Sequence, residues 1–308
     1  MTVAGATFEE LRPLLFSIAY RMLASATEAE DLVQETWLRY EGALAEGVRV
    51  ESPKAYLCAV ITRLAINELK SARKRRERYV GEWLPEPIVT DEDGPEARVQ
   101  ETESLSMAFL LLLDRLSPVE RAVFLLHDVF DYEFAEVAEV VGKTEANCRQ
   151  LAVRARRRIK EGRPHFDGRR DERRAVARRF FAALRSGDVE GLVQVLAPDV
   201  VVFGDGGGKA PQWSEPITGV ERVQRLLSGL GRQMGEYGVG VEPREINGEP
   251  GAILRDRDGR IAFVWALDIQ DGRVHRLRSV INPDKLRHLG PVADVRAALR
   301  AGRVRPAG

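Results

Sequence analysis

The sequence predicts a multi-domain chain: two all-α modules, the second a helix-turn-helix, followed by a C-terminal α+β domain. Three observations predict it. Apolar residues recur at helical spacing from about Phe8 to Tyr79 and again from about Leu105 to Ile159. A stretch rich in acid and proline separates the two. Past the second, short β-branched and aromatic runs alternate with Asp-Gly turn signals.

In the first module, Leu11, Leu14, Leu15, Ile18, Ala19 and Met22 line one face of a helix. Thr27, ahead of Glu28 and Glu30, is the predicted N-cap of the next helix, which continues through Leu32, Val33, Trp37 and Leu38. Ser52-Pro53 opens a third, because proline is favoured at the first helical position. That helix carries Tyr56, Leu57, Val60, Ile61, Leu64 and Leu69 and ends in Lys70, Arg73, Lys74, Arg75, Arg76 and Arg78. Composition then reverses. From Glu82 to Glu103 the acids Glu82, Glu86, Asp91, Glu92, Asp93, Glu96, Glu101 and Glu103 stand against Arg98, among Pro85, Pro87, Gly94 and Pro95. The expectation is an acidic, extended linker.

Helical pattern returns at Leu105. Ser117-Pro118-Val119-Glu120 has the residues of a capping box. The stretch Gly142-Lys143-Thr144 looks like the end of a phosphate-binding loop. That loop needs a glycine five residues earlier, where Val137 stands, and Phe134, Val137, Ala138 and Val141 already fall at helical spacing. The pattern instead reads as helix, turn, helix: Gly142 ends the first helix left-handed and Thr144 caps the second. Cys148, Leu151, Ala152, Ala155 and Ile159 form its buried stripe. The other side shows Asn147, Arg149, Gln150, Val153, Arg154 and Arg157. Arginine can pair bidentately with guanine edges, and Asn or Gln with adenine edges, in a major groove.

Helices are predicted near Arg173–Ser186, Glu190–Leu196 and Val220–Leu230. Strands are predicted at Val200–Phe203, Ala252–Leu254, Ile261–Leu267 and Val274–Leu277, with turns at Asp258-Gly259 and Asp271-Gly272. The expected product is a curved antiparallel sheet packed by helices.

The 308 residues balance 47 Lys and Arg against 47 Asp and Glu, so basic character is segregated rather than global. Two distant cysteines, Cys58 and Cys148, exclude a disulfide scaffold or zinc ribbon and suit a reducing cytoplasm. No apolar run is long enough to span a bilayer, and the start has no signal-peptide pattern. His127, His165, His275 and His288 are scattered, with no metal-ligand spacing, and neither metal nor cofactor is expected.

Two segments resemble one family. Asp31-Leu32-Val33-Gln34-Glu35-Thr36-Trp37, followed by the basic-ended third helix, resembles region 2 of a sigma-70-family RNA polymerase initiation factor. Leu116-Ser117-Pro118 through Arg154-Ala155-Arg156 resembles region 4. With no large region 3 between them, the resemblance is to the small extracytoplasmic-function group. Residues from about 170 to 290 resemble a SnoaL-like domain, a cone of sheet and helices. One subgroup carries this domain fused and is marked by WLPEP, DGGGK and NPDKL. Here they stand as Trp83-Leu84-Pro85-Glu86-Pro87, Asp205-Gly206-Gly207-Gly208-Lys209 and Asn282-Pro283-Asp284-Lys285-Leu286. The organisation this implies is region 2 in 1–80, linker in 81–104, region 4 in 105–163, SnoaL-like domain in 170–290 and tail in 291–308.

The resemblance also implies roles. Asp31, Gln34, Glu35 and Trp37 match the helix that docks on the polymerase β′ clamp. Arg63, Lys70, Arg73, Lys74, Arg75 and Arg76 match the helix that melts the minus-ten element; at Arg63 many relatives carry a base-holding Asn. Asn147, Arg149, Gln150, Val153 and Arg154 match the minus-35 reader. The linker matches one that enters the polymerase cleft and RNA exit channel. The implied partners are core RNA polymerase, through its β′ clamp and β subunit, and promoter DNA, with no membrane and a monomer when free. Independently, the basic end of the third helix suits single-stranded backbone, and Tyr56 and Tyr79 suit base stacking.

For the C-terminal domain the residues leave alternatives open. Asp199, Asp205, Asp268 and His275 are acid–base candidates for an enzyme, provided a carboxylate reaches the imidazole. A sensor domain binding an unknown small ligand is a second reading, and a duplex-binding factor that works without polymerase is a third. The glycines of DGGGK suit close approach of another chain segment. Lys209 is expected to reach an acid such as Glu86, and Asp284 and Lys285 to pair similarly. Trp83 suits an apolar groove. The expectation is a domain that packs on the linker and the DNA-binding modules and regulates them, without being an enzyme.

Overall fold

The computed structural model describes residues 3–90, 102–160, 170–213 and 215–297, apart from the side chains of 3, 74, 75, 102 and 103. The acidic run 91–101 and the tail beyond 297 therefore lie outside the described residues. The chain divides into two compact units. One joins the two helical modules; the other joins Tyr79–Asp91 to the C-terminal domain.

In the first unit, α1 (Val3–Leu23), α2 (Ala26–Ala45) and α3 (Pro53–Arg76) pack together. Leu15, Ile18, Ala19 and Met22 of α1 are buried with Leu57, Ile61 and Leu69 of α3. The N-cap of α2 is Ser25, not Thr27: its hydroxyl accepts from Glu28 N at 3.1 Å. The reversal is completed earlier than expected because Ala24 takes a left-handed φ of 55° and returns Ser25 to extended backbone. The expected start of α3 holds, with Ser52 Oγ accepting from Ala55 N at 3.3 Å.

The second module contains α4 (Met107–Leu113), α5 (Pro118–Phe124), α6 (Phe134–Val141) and α7 (Glu145–Lys160). Both arms of the capping box at Ser117 and Glu120 are formed. Gly142 ends α6 at φ 66°, ψ 43°, in the left-handed region where a side chain would be strained. Thr144 Oγ1 accepts from Asn147 N at 3.3 Å, and the five-residue stripe of α7 is buried.

In the second unit, α8 (Arg170–Ser186), α9 (Val189–Val195) and α10 (Val220–Tyr237) accompany six strands. These are β1 (Leu196–Asp205), β2 (Ile217–Thr218), β3 (Gly240–Ile246), β4 (Glu249–Arg255), β5 (Ile261–Gln270) and β6 (Arg273–Val280), ordered β2-β1-β6-β5-β4-β3. The sheet is not wholly antiparallel as expected: β1 runs parallel to β6, Val202 opposite Leu277. Tight turns at Asn247-Gly248, Asp258-Gly259 and Asp271-Gly272 force β3 to β6 to alternate in direction. The long path from β1 through α10 leaves the β1–β6 direction unconstrained. Strand β3 escaped sequence reasoning because Pro243 and its charged neighbours break the β pattern, which an edge strand tolerates. Phe180, Phe181 and Leu184 of α8 bury against Trp265 and Leu267 of β5. The Trp265 indole donates to Ser279 Oγ at 3.0 Å.

Candidate functional site

The second helix of the helix-turn-helix presents its polar side outward. Asn147, Arg149, Gln150, Val153 and Arg154 are all exposed, and Val153 is 62% exposed although apolar. Arg149 pairs with Glu145 at 3.0 Å and lies over the Phe134 ring at 5.2 Å. Behind this face, Glu120 accepts from Arg158 at 2.7 Å and approaches Arg154 at 3.7 Å. Burial pulls the Glu120 carboxyl upward. The Ser117 backbone and hydroxyl bonds and the two arginines outweigh that and hold it below the ordinary range. One carboxylate thus caps α5 and steadies the arginine side of α7.

The expected minus-ten residues are used differently within this unit. Arg63 donates to Val140 O at 2.9 Å and Glu139 O at 2.8 Å, the carbonyl end of α6. Arg73 donates to Asp114 O at 3.0 Å and to Leu116 O. Arg76 pairs with Asp114 at 2.5 Å. Lys70 is exposed beside Asn67, and the side chains of Lys74 and Arg75 are not described. Arg63 and Arg73 therefore close on carbonyls at the ends of α6 and α4, a favourable site for cations, while Arg76 meets a carboxylate. Sequence reasoning missed the buried Arg121, which donates to Arg21 O at 3.1 Å. Its pKa is lowered to about 9, mainly by burial, then by Arg76, with Asp114 opposing. A basic residue inside a capping-box helix gives no sequence signal that its side chain turns inward.

On α2, Asp31 and Gln34 are exposed, and Glu35 accepts from Arg39 at 2.8 Å. Trp37 is half-buried and packs on Phe8 at 4.8 Å and Tyr40 at 6.3 Å, so it braces the helix.

In the second unit the three pentapeptides meet. Asp205, fully buried at the end of β1, accepts from Tyr79 Oη at 2.5 Å, Leu84 N at 2.8 Å and Lys285 Nζ at 2.6 Å. Lys285 also donates to Leu84 O and lies 4.4 Å from the Trp83 ring and 4.8 Å from the Tyr79 ring. Asn282 Nδ2 donates to Tyr79 Oη at 2.7 Å. Farther along, His288 Nε2 donates to Pro87 O at 2.8 Å, and Ile88 exchanges bonds with Asn247. Val89 bridges Ile246, which adds a short piece of strand beyond β3. Leu84 and Ile88 are buried and Glu86 is 9% exposed.

This clasp explains DGGGK. Gly207 has φ 55°, and a Cβ there would stand 2.2 Å from Asn282 Nδ2 and 2.8 Å from Tyr79 Oη. Lys209 pairs with Asp284 rather than with Glu86, since DGGGK and NPDKL adjoin each other. Tyr79 is not a free stacking platform: its hydroxyl is held by the cone. Burial, then the neighbouring Asp205 charge, pushes its pKa well above the ordinary phenol value. Tyr56 packs on Tyr40 at 5.9 Å.

The acid–base candidates do not converge. Asp205 belongs to the clasp, and buried Asp268 accepts from Arg276 at 3.1 Å. His275 Nδ1 lies 3.5 Å from the exposed Asp199. None of the four lines the 880 Å³ cavity of the domain. Among the described residues, no group of three or more His, Cys, Asp or Glu is placed to hold a metal. Cys58 and Cys148 are buried and unbridged.

Residues 7–75 match sigma-70 region 2, 106–159 match sigma-70 region 4, and 177–280 match the SnoaL-like domain. The chain is 40% identical over 288 residues to the ECF RNA polymerase sigma factor SigJ of Mycobacterium tuberculosis, covering 90% of this chain and 91% of that one. It is 30% identical over 284 residues to the probable ECF RNA polymerase sigma factor SigI of the same species, covering 92% and 94%. The crystal structure of SigJ superposes with a TM-score of 0.74 at 36% identity, covering 94% of this chain and 99% of that one. The chain belongs to the extracytoplasmic-function group of RNA polymerase sigma factors, in the form that carries a SnoaL-like domain after regions 2 and 4.

Proposed function

We propose that this sigma factor binds core RNA polymerase in the cytoplasm, recognises the minus-35 element with α7 and opens the minus-ten element with the basic end of α3. Its partners are the polymerase and promoter DNA. The observation that carries the reading is α7 itself, whose apolar stripe is buried while Asn147, Arg149, Gln150, Val153 and Arg154 face solvent. Arginine, asparagine and glutamine supply the paired donors and acceptors that base edges require, and the exposed Val153 suits a thymine methyl. The exposed Asp31 and Gln34 on α2 suit a basic clamp surface. Arg63 and Arg73 reach DNA phosphates by exchanging their carbonyl partners and Arg76 by exchanging the Asp114 carboxylate, so promoter opening loosens the contacts between the two helical modules.

In this reading the SnoaL-like domain acts as a regulator rather than an enzyme, and its handle is the clasp on residues 79–90. The same segment continues into the acidic linker, so holding or releasing it changes how far the two DNA-binding modules can separate. Like the DNA-reading roles, this is tested by run-off transcription with purified core polymerase. Full-length protein, a truncation after about Gly162 and a Lys285→Met variant are compared. A product that depends on the protein, with altered output from the second and third, supports the assignment. No product from any promoter in a genome-derived template set refutes it.

A further inference from the structure

We infer that the SnoaL-like domain carries a binding site for a phosphoryl group at the start of α8, separate from its 880 Å³ cavity. A smaller cavity of 260 Å³ lies between the N-terminal part of α8 and the β3–β4 hairpin. It shares no lining residue with the larger one. Arg170, Arg173, Arg174 and Arg178 of α8 and Arg244 of β3 line it, against a single acid, Glu245. The helical repeat gathers the four arginines of α8. Positions 170, 173, 174 and 178 share one face, which continues into the buried Ala177 and Phe181. Like charges at this spacing repel by a few tenths of a kcal/mol per pair. A bound anion turns that cost into attraction.

Two carboxylates hold part of this wall in place. Buried Glu245 accepts from Arg170 and, at 3.0 Å, from Arg174. Glu242 accepts from Arg244 and, at 2.7 Å, from Arg255. Arg173 and Arg178 have no ion pair among the described residues, and Arg173 Nε is buried without a hydrogen-bond acceptor. A buried donor left unmatched costs about 1–3 kcal/mol, so an acceptor that enters here gains most at Arg173.

A phosphoryl group is the matching ligand. It brings up to two negative charges and several acceptor oxygens, and planar guanidinium forks bind such groups bidentately. The N-terminal turn of α8 adds a dipole that favours an anion, and its acids Asp171 and Glu172 are exposed and do not line the cavity. A carboxylate ligand would bring one charge to a site that already holds the Glu245 carboxylate. The volume falls below the roughly 300–1,000 Å³ of pockets that enclose a whole organic ligand. The site therefore takes the anionic group and leaves any organic remainder outside. It lies on the hairpin that holds the linker: Gly248 N, on the lining, donates to Thr90 Oγ1 at 2.7 Å, and Thr90 N donates to Glu245 O at 2.9 Å.

The test titrates full-length protein, free of divalent metal, with sodium diphosphate and with ADP by isothermal titration calorimetry. Saturable one-site binding of diphosphate is expected. ADP that competes with it marks a site for the phosphate end of a metabolite; diphosphate binding without ADP binding marks a site for the free inorganic anion. Arg173→Gln with Arg178→Gln removes two charges and keeps residues that favour a helix. The pair should weaken binding at least roughly thirtyfold, the equivalent of about 2 kcal/mol. Circular dichroism checks folding. If the pair does not fold, Arg178→Gln alone, at an exposed position, should weaken binding at least about fivefold, the order of 1 kcal/mol. No saturable binding, or binding indifferent to the folded α8 variants, overturns the site. Loss of binding in Arg149→Gln with Arg154→Gln instead would place the anion on α7 and also overturns it. If the α8 variants weaken binding of duplex DNA as much as binding of diphosphate, the arginines are a DNA backbone contact and the small-anion site falls.

Discussion

Replacing Lys285 by methionine removes the only ammonium within bonding distance of the Asp205 carboxylate among the described residues. Asp205 is fully buried and Lys285 side-chain exposure is 8%, so solvent cannot replace the lost partner. Tyr79 Oη and Leu84 N remain as donors, but both are neutral. Breaking a buried pair on one side costs about 3–5 kcal/mol, because the surviving charge keeps its desolvation penalty. The lost contacts with the Trp83 and Tyr79 rings act in the same direction. At about 1.4 kcal/mol per factor of ten, the linker should open roughly a hundred to several thousand times more often. Native-state hydrogen exchange reads this at the Leu84 amide, which is bonded to Asp205, with a core amide of β5 as the internal control. The double variant Asp205→Asn, Lys285→Met removes both charges and should cost less than the sum of the single changes. Leu84 exchange within a few-fold of wild type in Lys285→Met, or strict additivity in the double variant, would refute the reasoning.

Other outcomes are expected. Asp284→Ala breaks a pair whose partners are 57% and 40% exposed, so it should cost less than about 1 kcal/mol and barely alter Leu84 exchange. Tyr79 has its pKa raised in the folded state, so its stabilising contribution is complete below its ordinary value of about 10 and is lost as pH rises above it. Tyr79→Phe should remove that alkaline slope from denaturation midpoints. Arg149→Glu with Arg154→Glu should abolish minus-35 binding in a mobility-shift assay while core polymerase binding persists; thermal stability should fall modestly, because the new carboxylates face Glu145 and Glu120. Gly142→Ala meets nothing within 4 Å and should cost about 1–2 kcal/mol of backbone strain. Gly207→Ala adds a collision with Asn282 and should lower Tm further and release the linker.

Much of this molecule was legible in its sequence because the deciding forces are local. The spacing of Cys148, Leu151, Ala152, Ala155 and Ile159 set which side of α7 is buried, and so which side faces solvent. Ser117, Glu120 and Gly142 act on backbone groups within a turn of themselves, and at these three positions the expected caps are the observed ones, whereas Thr27 gave way to Ser25. The family resemblance picked out the three pentapeptides, and in one of them the run of glycines asks for a close neighbour. Their pairing was not legible. That Lys285 meets Asp205, that Lys209 meets Asp284, and that Tyr79 serves the cone rather than a base stack depend on segments brought together across long stretches of chain. The same holds for Arg63, which closes the end of α6, for the inward turn of Arg121, and for the parallel pairing of β1 with β6. Periodicity and capping report on neighbours a few residues apart. Which buried charge meets which partner, and how wide a cavity its walls leave, is decided only when the whole domain packs, because burial makes each such pairing strong and packing alone selects it.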